Sequence, residues 1–480
     1  MIARMSDSPS LDPDDWTAFR AAAHAALDAA IDHIEGRGDA PVWRAPSAAS
    51  RTAFTATLPL APTTPEAIAR DIAAHILPHD VGNTHPRFFG WVHGSGTAQG
   101  IVPAMYEAAI NANLGGRHHA PALVEKQLRD WIVAIFGFPA AASGLVVSGT
   151  SVATLIALSA ARLRALGPDV RRKGLADAPR LVGYTSAQAH SCIARAFDML
   201  GLGTEALRII PVDDVYQMNI KALKDAIDAD IAAGLRPFFV AGTAGSVNVG
   251  AFDDLSALAD ICAEHGLWLH VDGAFGAFTQ LVPELRPRVA AIARADSLAF
   301  DFHKWLHVTY DAGYILIRNE AEHRGAFAER PDYLAPAKRG LAGGNPWPVD
   351  YGPELSRGFR ALKIWYHLRL FGLERLGAKI AENCAQARYL AARVDAQPAL
   401  TRLAPVSLNI CCFRYNASDA VNDEIVVLLQ ERGIAAPSTT KINGQTAIRV
   451  NITNHRTTRA DLDALLAAVL DIGRERSAKT

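Results

Sequence analysis

Apolar residues recur at helical spacing over residues 14–35 (DDWTAFRAAAHAALDAAIDHIE), which predicts an N-terminal helix. The Pro-rich stretch that follows, up to Pro65, has little periodicity and reads as a linker. Over residues 87–318 the pattern changes to short β-branched apolar runs separated by amphipathic stretches. RLVGYT, LRIIPV, RPFFVAGT, LWLHVD, DSLAFDF and YILIR are predicted strands. Runs that are apolar on both faces and alternate with helices imply a largely parallel sheet with helices on both sides, an α/β fold. The stretch AKRGLAGGNPWPVDYGPE is too rich in Gly and Pro for a regular element and reads either as a mobile functional loop or as a plain surface connection. SRGFRALKIWYHLRLFGLERL then predicts a strong helix, and a further helix reaches Val394. The strand candidates SLNICCFRY and AIRVNIT precede a last helix opened by Thr458. The expected division is an arm and linker over 1–84, a large α/β domain over 85–350 and a small C-terminal α/β domain over 351–480.

Residues 131–161 carry no charge, a run nominally long enough to cross a bilayer. Gly137, Pro139, Gly144 and the polar SGTS at 148–151 divide it into a helix end, a loop and a second helix start, so a buried core segment is expected instead. Half of the 480 residues are apolar, 20% are charged and the formal net charge is −1. That balance supports a large core and argues against nucleic acid or an anionic membrane as partner, leaving a small molecule. Five cysteines without CxxC spacing fit a reducing compartment, and the acidic, Pro-rich start has no apolar run of signal-peptide length, so a cytoplasmic location is expected.

The candidate chemistry sits at the ends of consecutive predicted strands, where open α/β sheets bind ligands. Asp272 in LWLHVDGAFG directly follows four apolar strand residues; at such a buried end an acid is either paired or functional. Lys304 in DSLAFDFHKWLH lies 32 residues later, after the next strand, so one strand-helix-strand unit brings an amine to the same edge. A structural Lys/Asp ion pair would explain these two residues equally well. SGTS precedes the apolar helical run VATLIALSAARLRA, which makes a helix N-terminus and a ready anion site, though plain capping would account for one of its hydroxyls. His190, at the end of RLVGYTSAQAHS, occupies another strand-to-helix junction; a lone histidine of this kind is more often structural. His303 and His307 have i,i+4 spacing but no following Glu and no third ligand, so no metal site is expected.

HVDGAFG, then DFHKW some thirty residues on, with AHS and a Gly-Thr-Ser turn upstream, resembles the pyridoxal-phosphate-dependent group II amino-acid decarboxylases, the family of the aromatic-L-amino-acid and glutamate decarboxylases. The likeness runs from His85 to the last helix; the HKW and HVDxA elements are specific, the Gly-Thr-Ser turn alone is not. It implies a type I pyridoxal-phosphate (aspartate aminotransferase-like) fold, pyridoxal 5'-phosphate as cofactor and a homodimer with active sites at the interface. By resemblance Lys304 is the Schiff-base lysine, Asp272 the partner of the pyridinium nitrogen, His190 the imidazole stacked on the ring and Ala274 the residue beneath it. Gly149, Thr150, Ser151 and His303 match phosphate-holding positions, Thr243 matches one near the phenolic edge, and Tyr333 in RPDYLAP matches the tyrosine of the family's catalytic loop. The chemistry wants these types: a carbanion left by departing CO2 needs an electron sink, the sink needs a carboxylate to keep its nitrogen protonated, and Cα then needs a proton donor.

Departures from the family pattern fall near the substrate. The segment between Phe89 and Pro103 is longer than in the aromatic decarboxylases, GGRHHAPALVE replaces their stretch with an SPA core, Gly273 stands where alanine is common, and Phe302 where Pro often precedes His-Lys. Phe88, Phe89, Trp91, His93, His118 and His119 are therefore candidates for a side-chain pocket, partly donated by a neighbouring subunit, with core packing the rival account of the aromatics. The expected activity is decarboxylation of an L-amino acid, favouring an aromatic one since no cationic cluster awaits a second carboxylate, although Arg87 and Arg117 weaken that point. Rival readings are oxidative decarboxylation-deamination to an aldehyde, aminotransfer, and a non-catalytic pyridoxal-phosphate-binding regulator. The presence of Tyr333 and His190 speaks against the oxidative reading, and the acidic, irregular first 80 residues against a DNA-binding regulator.

Overall fold

A computed structural model describes residues 11–329 and 337–478. Strand β1 (Phe88–Phe89) is followed by seven strands of one central sheet: β2 (Ser143–Val147), β3 (Leu181–Ser186), β4 (Leu207–Ile210), β5 (Arg236–Thr243), β6 (Trp268–Asp272), β7 (Ser297–Asp301) and β8 (Gly313–Ile317). Their order is β2-β8-β7-β6-β5-β3-β4, and β8 alone runs against the others. Alternate residues feed separate cores on the two faces, as the pleat requires. Leu269, Val271, Leu298 and Phe300 pack with the helices Ala120–Phe136, Ile220–Ala232 and Leu255–His265, whereas Trp268, Ala299 and Ile315 pack with the helices Thr150–Leu166 and Cys192–Met199.

The six runs predicted as strands are β3 to β8. The expectation for residues 131–161 needs correction: between the helix Ala120–Phe136 and the helix beginning at Thr150 lies strand β2, not a loop. SGLVV is only five residues long and is apolar on both sides, so nothing in its pattern separates it from the apolar helix that follows.

The remaining strands are β9 (Leu400–Arg402), β10 (Ile410–Tyr415), β11 (Ala436–Ile442) and β12 (Gln445–Asn451), forming with β1 a five-stranded sheet of order β1-β11-β12-β10-β9. β1 joins it parallel to β11, with Phe88 opposite Ala436, so the chain visits the small sheet before it enters the large one. The helix Arg360–Asp395 links the two sheets and is broken at Gly372, whose φ of 68° lies in the left-handed region that favours glycine. The N-terminal helix Trp16–Glu35, capped by Asp15, buries none of its residues. The linker contains two short helices, Ala48–Ala53 and Pro65–Asp71, capped by Ser47 and Thr64; at two turns or less they are too short to show periodicity. Among the described residues no helix is long and apolar enough to cross a membrane.

Two imidazoles are sealed into this frame. His270 of β6 pairs through Nδ1 with Ser297 Oγ at 2.8 Å, and His323 is held between Ser143 Oγ at 2.8 Å and the carbonyl of Tyr351 at 2.7 Å. Burial pushes both from an ordinary 6.5 down to about 3. As pH falls below the ordinary value the unfolded chain takes up these protons and the folded chain does not, so this contribution to stability is present above about pH 6.5 and lost below it, by up to about 1.4 kcal/mol per pH unit for each histidine. The melting midpoint should therefore fall steadily on acidification from neutral pH, and more shallowly in His323→Gln. Calorimetry across that pH range checks it, and an identical slope in the variant would refute the assignment.

Candidate active site

A cavity of about 570 Å³ opens where the carboxyl ends of β6 and β7 meet the start of the helix Thr150–Leu166 and the segment 91–93. The register β5-β6-β7 sets Thr243 beside Asp272 and Asp272 beside Ala299, so the acid and the turn that follows β7 share one edge of the sheet.

That turn carries Lys304. It is fastened by the amides of Phe302 and His303, which both donate to the Ala312 carbonyl at 2.8 and 3.2 Å, and by the Val308 amide, which donates to the Phe302 carbonyl at 3.2 Å. Gly94 lies directly against it: a Cβ there would stand 1.5 Å from the His303 carbonyl oxygen, so only glycine lets the segment close over the turn. The Gly94 amide donates to the hydroxyl of Tyr310, at 3.1 Å.

Lys304 Nζ stands 2.9 Å from Asp301 Oδ2. Burial works against the ammonium, but the Asp301 carboxylate outweighs it and the lysine pKa is raised. The other Asp301 oxygen, Oδ1, accepts the Thr150 amide at 2.8 Å, so a single carboxylate ties the lysine to the helix start. His303 Nδ1 accepts the Ala312 amide at 3.0 Å, which places the ring proton on Nε2, 3.7 Å from Asp301 Oδ2. Burial lowers the pKa of His303, consistent with a neutral ring.

Asp272 ends β6 and is 4% exposed; its Oδ1 accepts the Ala274 amide at 3.0 Å, and its Oδ2 lies 3.9 Å from Cys192 Sγ. Burial raises its pKa, and the charge of Lys304 opposes that shift. At the exposed mouth, His190 Nδ1 accepts the Cys192 amide at 3.1 Å, which fixes the ring at the start of the helix Cys192–Met199. Thr150 Oγ1 is buried and has no hydrogen-bond partner among the described residues. A buried hydroxyl at a helix N-terminus, with Gly149 and Ser151 beside it, leaves room for an anionic acceptor.

Of the residues singled out in the sequence, Gly149, Thr150, Ser151, His190, Asp272, Ala274, His303, Lys304, Trp91 and His93 line this one cavity. The rest of the expected set lies elsewhere within the chain. Thr243 is buried in β5, where its amide donates to Asp253 Oδ2 at 2.8 Å, and it does not reach the cavity wall. Phe89 is fully buried in the core of the small sheet, because pairing with β11 turns it inward. Phe88 packs with Val42 and Ala436 and stacks on His93 with ring centres 5.6 Å apart, a support behind the wall and not part of it. His118 and His119 line a separate cavity with Trp347. Tyr333 lies outside the described residues.

Two polar lining residues escaped the sequence reading. Asp301 carries the signal that identified Asp272, an acid closing a buried apolar run, and was overlooked because Lys304 follows so soon after it. Tyr310 lies in an irregular segment, and its ring is tilted at 36° to that of His303 with centres 4.4 Å apart. No pattern in the sequence marks it.

A family model described as the pyridoxal-dependent decarboxylase conserved domain matches residues 47–416. An aromatic-L-amino-acid decarboxylase of Bacillus atrophaeus is 30% identical, covering 96% of both chains. A histidine decarboxylase of Mus musculus is 31% identical over 86% of this chain and 64% of its own. The solved structure of Catharanthus roseus tryptophan decarboxylase in complex with L-tryptophan superposes with a TM-score of 0.86 over 97% of this chain and 99% of that one, at 24% identity, and so shows a common fold. With an amine and two acids gathered at one sheet edge, the chain belongs to the pyridoxal-dependent decarboxylases, carboxy-lyases whose cofactor is pyridoxal 5'-phosphate.

Proposed function

We propose that this decarboxylase acts on an aromatic L-amino acid, releasing CO2 and the corresponding amine, with Lys304 as the residue that carries the cofactor. The observation that carries the substrate class is the cavity wall: Trp91, Val92, His93 and Tyr310 line it, and among the described residues Lys304 is its only lysine or arginine. Among those residues a second carboxylate on the substrate would find no further cation. Arg87 is engaged by the Ile434 carbonyl at 2.7 Å and Arg117 lies over the Trp347 ring at 4.8 Å, and neither lines this cavity.

The residues present suit the cofactor. The unpartnered hydroxyl of Thr150, with Ser151 and Gly149 at the helix start, offers donors to a phosphate, and His303 lines the same cavity. Asp272 would hold the cofactor's ring nitrogen, and Ala274 and His190, which line the same cavity, would hold its ring. When bound, pyridoxal phosphate supplies the electron sink for the pair left at Cα as CO2 departs. Lys304 must shed a proton before it acts as a nucleophile, and the Asp301 carboxylate, with Oδ2 at 2.9 Å, favours the ammonium and so sets the pH at which that proton leaves. The Asp272 carboxylate favours a protonated partner opposite it, in a site dry enough for that single bond to matter. Trp91 and His93 orient the substrate side chain and exclude water. Tyr333, from the family's catalytic loop, is the donor proposed to protonate Cα.

The same reading includes a homodimer. Trp16, Phe19 and Ile31 of the first helix are exposed, as are Met105, Tyr106 and Ile110 of the helix Ile101–Ile110, an apolar surface of the kind that a second copy covers.

A product screen tests the function directly: the cofactor-loaded protein is offered the proteinogenic L-amino acids, and CO2, product mass and peroxide are followed together. Amine with stoichiometric CO2 from an aromatic amino acid is expected. Aldehyde with peroxide would replace the proposal by oxidative chemistry, and turnover confined to glutamate or aspartate would overturn the substrate class.

Asp301→Asn keeps the shape of the side chain and its bond from Thr150 but removes the charge that favours the Lys304 ammonium. The reactive free amine then persists to lower pH, so the pH profile for capture of pyridoxal phosphate by the apoprotein should move down by about one unit or more, read from growth of the visible cofactor band. An unmoved profile would dismiss Asp301 from this role.

Tyr333→Phe should leave cofactor loading intact while lowering kcat about 100-fold or more, the range for loss of a positioned proton donor. Wild-type amine output in steady-state assays would eliminate Tyr333 as the donor.

A further inference from the structure

A second cavity, of about 540 Å³, meets the Lys304 turn at His307, and none of its lining residues lines the first. It lies between the end of the N-terminal helix and the long helix beside its break at Gly372, and three imidazoles reach it, from His307, His367 and His455.

These imidazoles are not a metal site: among the described residues no group of three or more His, Cys, Asp or Glu is placed to hold an ion. His307 Nδ1 and His455 Nδ1 both meet the Ser95 hydroxyl, at 3.2 and 3.1 Å. That hydroxyl has one proton, so it donates to one ring and accepts from the other. His307 is 2% exposed, and its Nε2 atom and the Thr97 hydroxyl oxygen are both buried with no hydrogen-bond partner among the described residues, while the His367 ring meets the Leu306 backbone. Two buried polar atoms left unpartnered beside the same cavity are costly unless something fills it.

The charges around the cavity indicate what that is. Burial holds the three histidines below their ordinary value, His367 at about 4, so they act as neutral hydrogen-bonding groups at physiological pH. Arg456 is half-buried; its NH1 donates to the Gly96 carbonyl at 3.2 Å, and it makes no ion pair among the described residues. Arg375 lies over the Phe371 ring at 5.2 Å and has no carboxylate partner there either. Lys379 is engaged by Glu382 at 2.6 Å, and among the described residues Glu35 is the only acid on the wall. Positive charge is therefore in excess, and a half-buried guanidinium without a counter-charge favours an anion. Phe371, Leu376 and Ile34 give the wall an apolar side, with Thr97 and Gln99 as uncharged polar residues beside it.

We propose that this cavity is a binding site for a small organic carboxylate with an apolar body, its carboxylate on Arg456 and its body against Phe371 and Leu376. The occupant also touches the active-site turn, since the His307 amide donates to the Lys304 carbonyl at 3.3 Å. The site does not depend on which amino acid the enzyme consumes.

The test is calorimetric titration of the cofactor-loaded protein with 3-phenylpropionate, with 3-phenylpropanamide as its uncharged counterpart. Saturable binding at one site per chain is expected, weakened about tenfold or more by Arg456→Gln and by the change from carboxylate to amide, and largely kept in Arg456→Lys. Ile34→Trp, which fills the cavity from the N-terminal helix, should also abolish binding while the melting midpoint and visible cofactor band show a folded, loaded protein. Equal affinity in wild type and both Arg456→Gln and Ile34→Trp would place the acid in the substrate cavity and overturn the proposal. So would the absence of saturable binding to the wild type, the result if a carboxylate from a second copy already seals the site.

Discussion

A carboxylate buried at the end of a central strand must be neutralised where it stands, and in this enzyme the burden falls on Asp301. One of its oxygens takes the Thr150 amide and the other the Lys304 ammonium, so the start of the helix Thr150–Leu166 and the lysine turn are held by a single side chain. Losing either partner would strand a charge in a site of low polarity, which makes the pairing far more consequential than a surface ion pair of the same length. The other polar features of the cavity take their places from it: His303 directs its Nε2 proton toward the same carboxylate, and Thr150 is left with a hydroxyl that has nothing but the cavity to face.

The roof of that cavity is not held by the sheet that carries the lysine. Segment 83–94 is held by the small C-terminal sheet and the residues after it: Arg449 donates to the Trp91 carbonyl at 2.8 Å, Thr453 to the His93 carbonyl at 2.9 Å and Asn454 to the His85 carbonyl at 2.9 Å. The large sheet sets the lysine and the two acids, and the small sheet decides how Trp91 and His93 approach them. The Lys304 turn is also where the two cavities come closest, since Lys304 faces one and His307 the other within a single fastened loop.

Much of this was legible in the sequence because a parallel sheet buried on both faces writes itself as uniform apolar runs, with polar residues only where the runs end. Lys304 and Asp272 stood out for that reason, and β3 to β8 did too. Strands whose burial is one-sided or very short left no such trace: β1 is two residues long, and its pairing with β11 turned Phe89 from a candidate pocket residue into core. β2 was lost inside an uncharged stretch where strand and helix look alike. The sequence alone could not show that His118 and His119 belong to another cavity, or that Thr243 stops short of the wall.

The sequence by itself thus determined the class of fold, the cofactor and the sheet-edge residues, since each follows from local pattern or from a short motif with a chemical reason. Tertiary structure alone decided what stands next to what across long separations. Gly94 lies on the His303 carbonyl, Arg449 on Trp91 and Ser95 between His307 and His455, pairs that lie hundreds of residues apart. No periodicity records such contacts, because they are fixed by packing of whole layers and not by the local preferences of the chain.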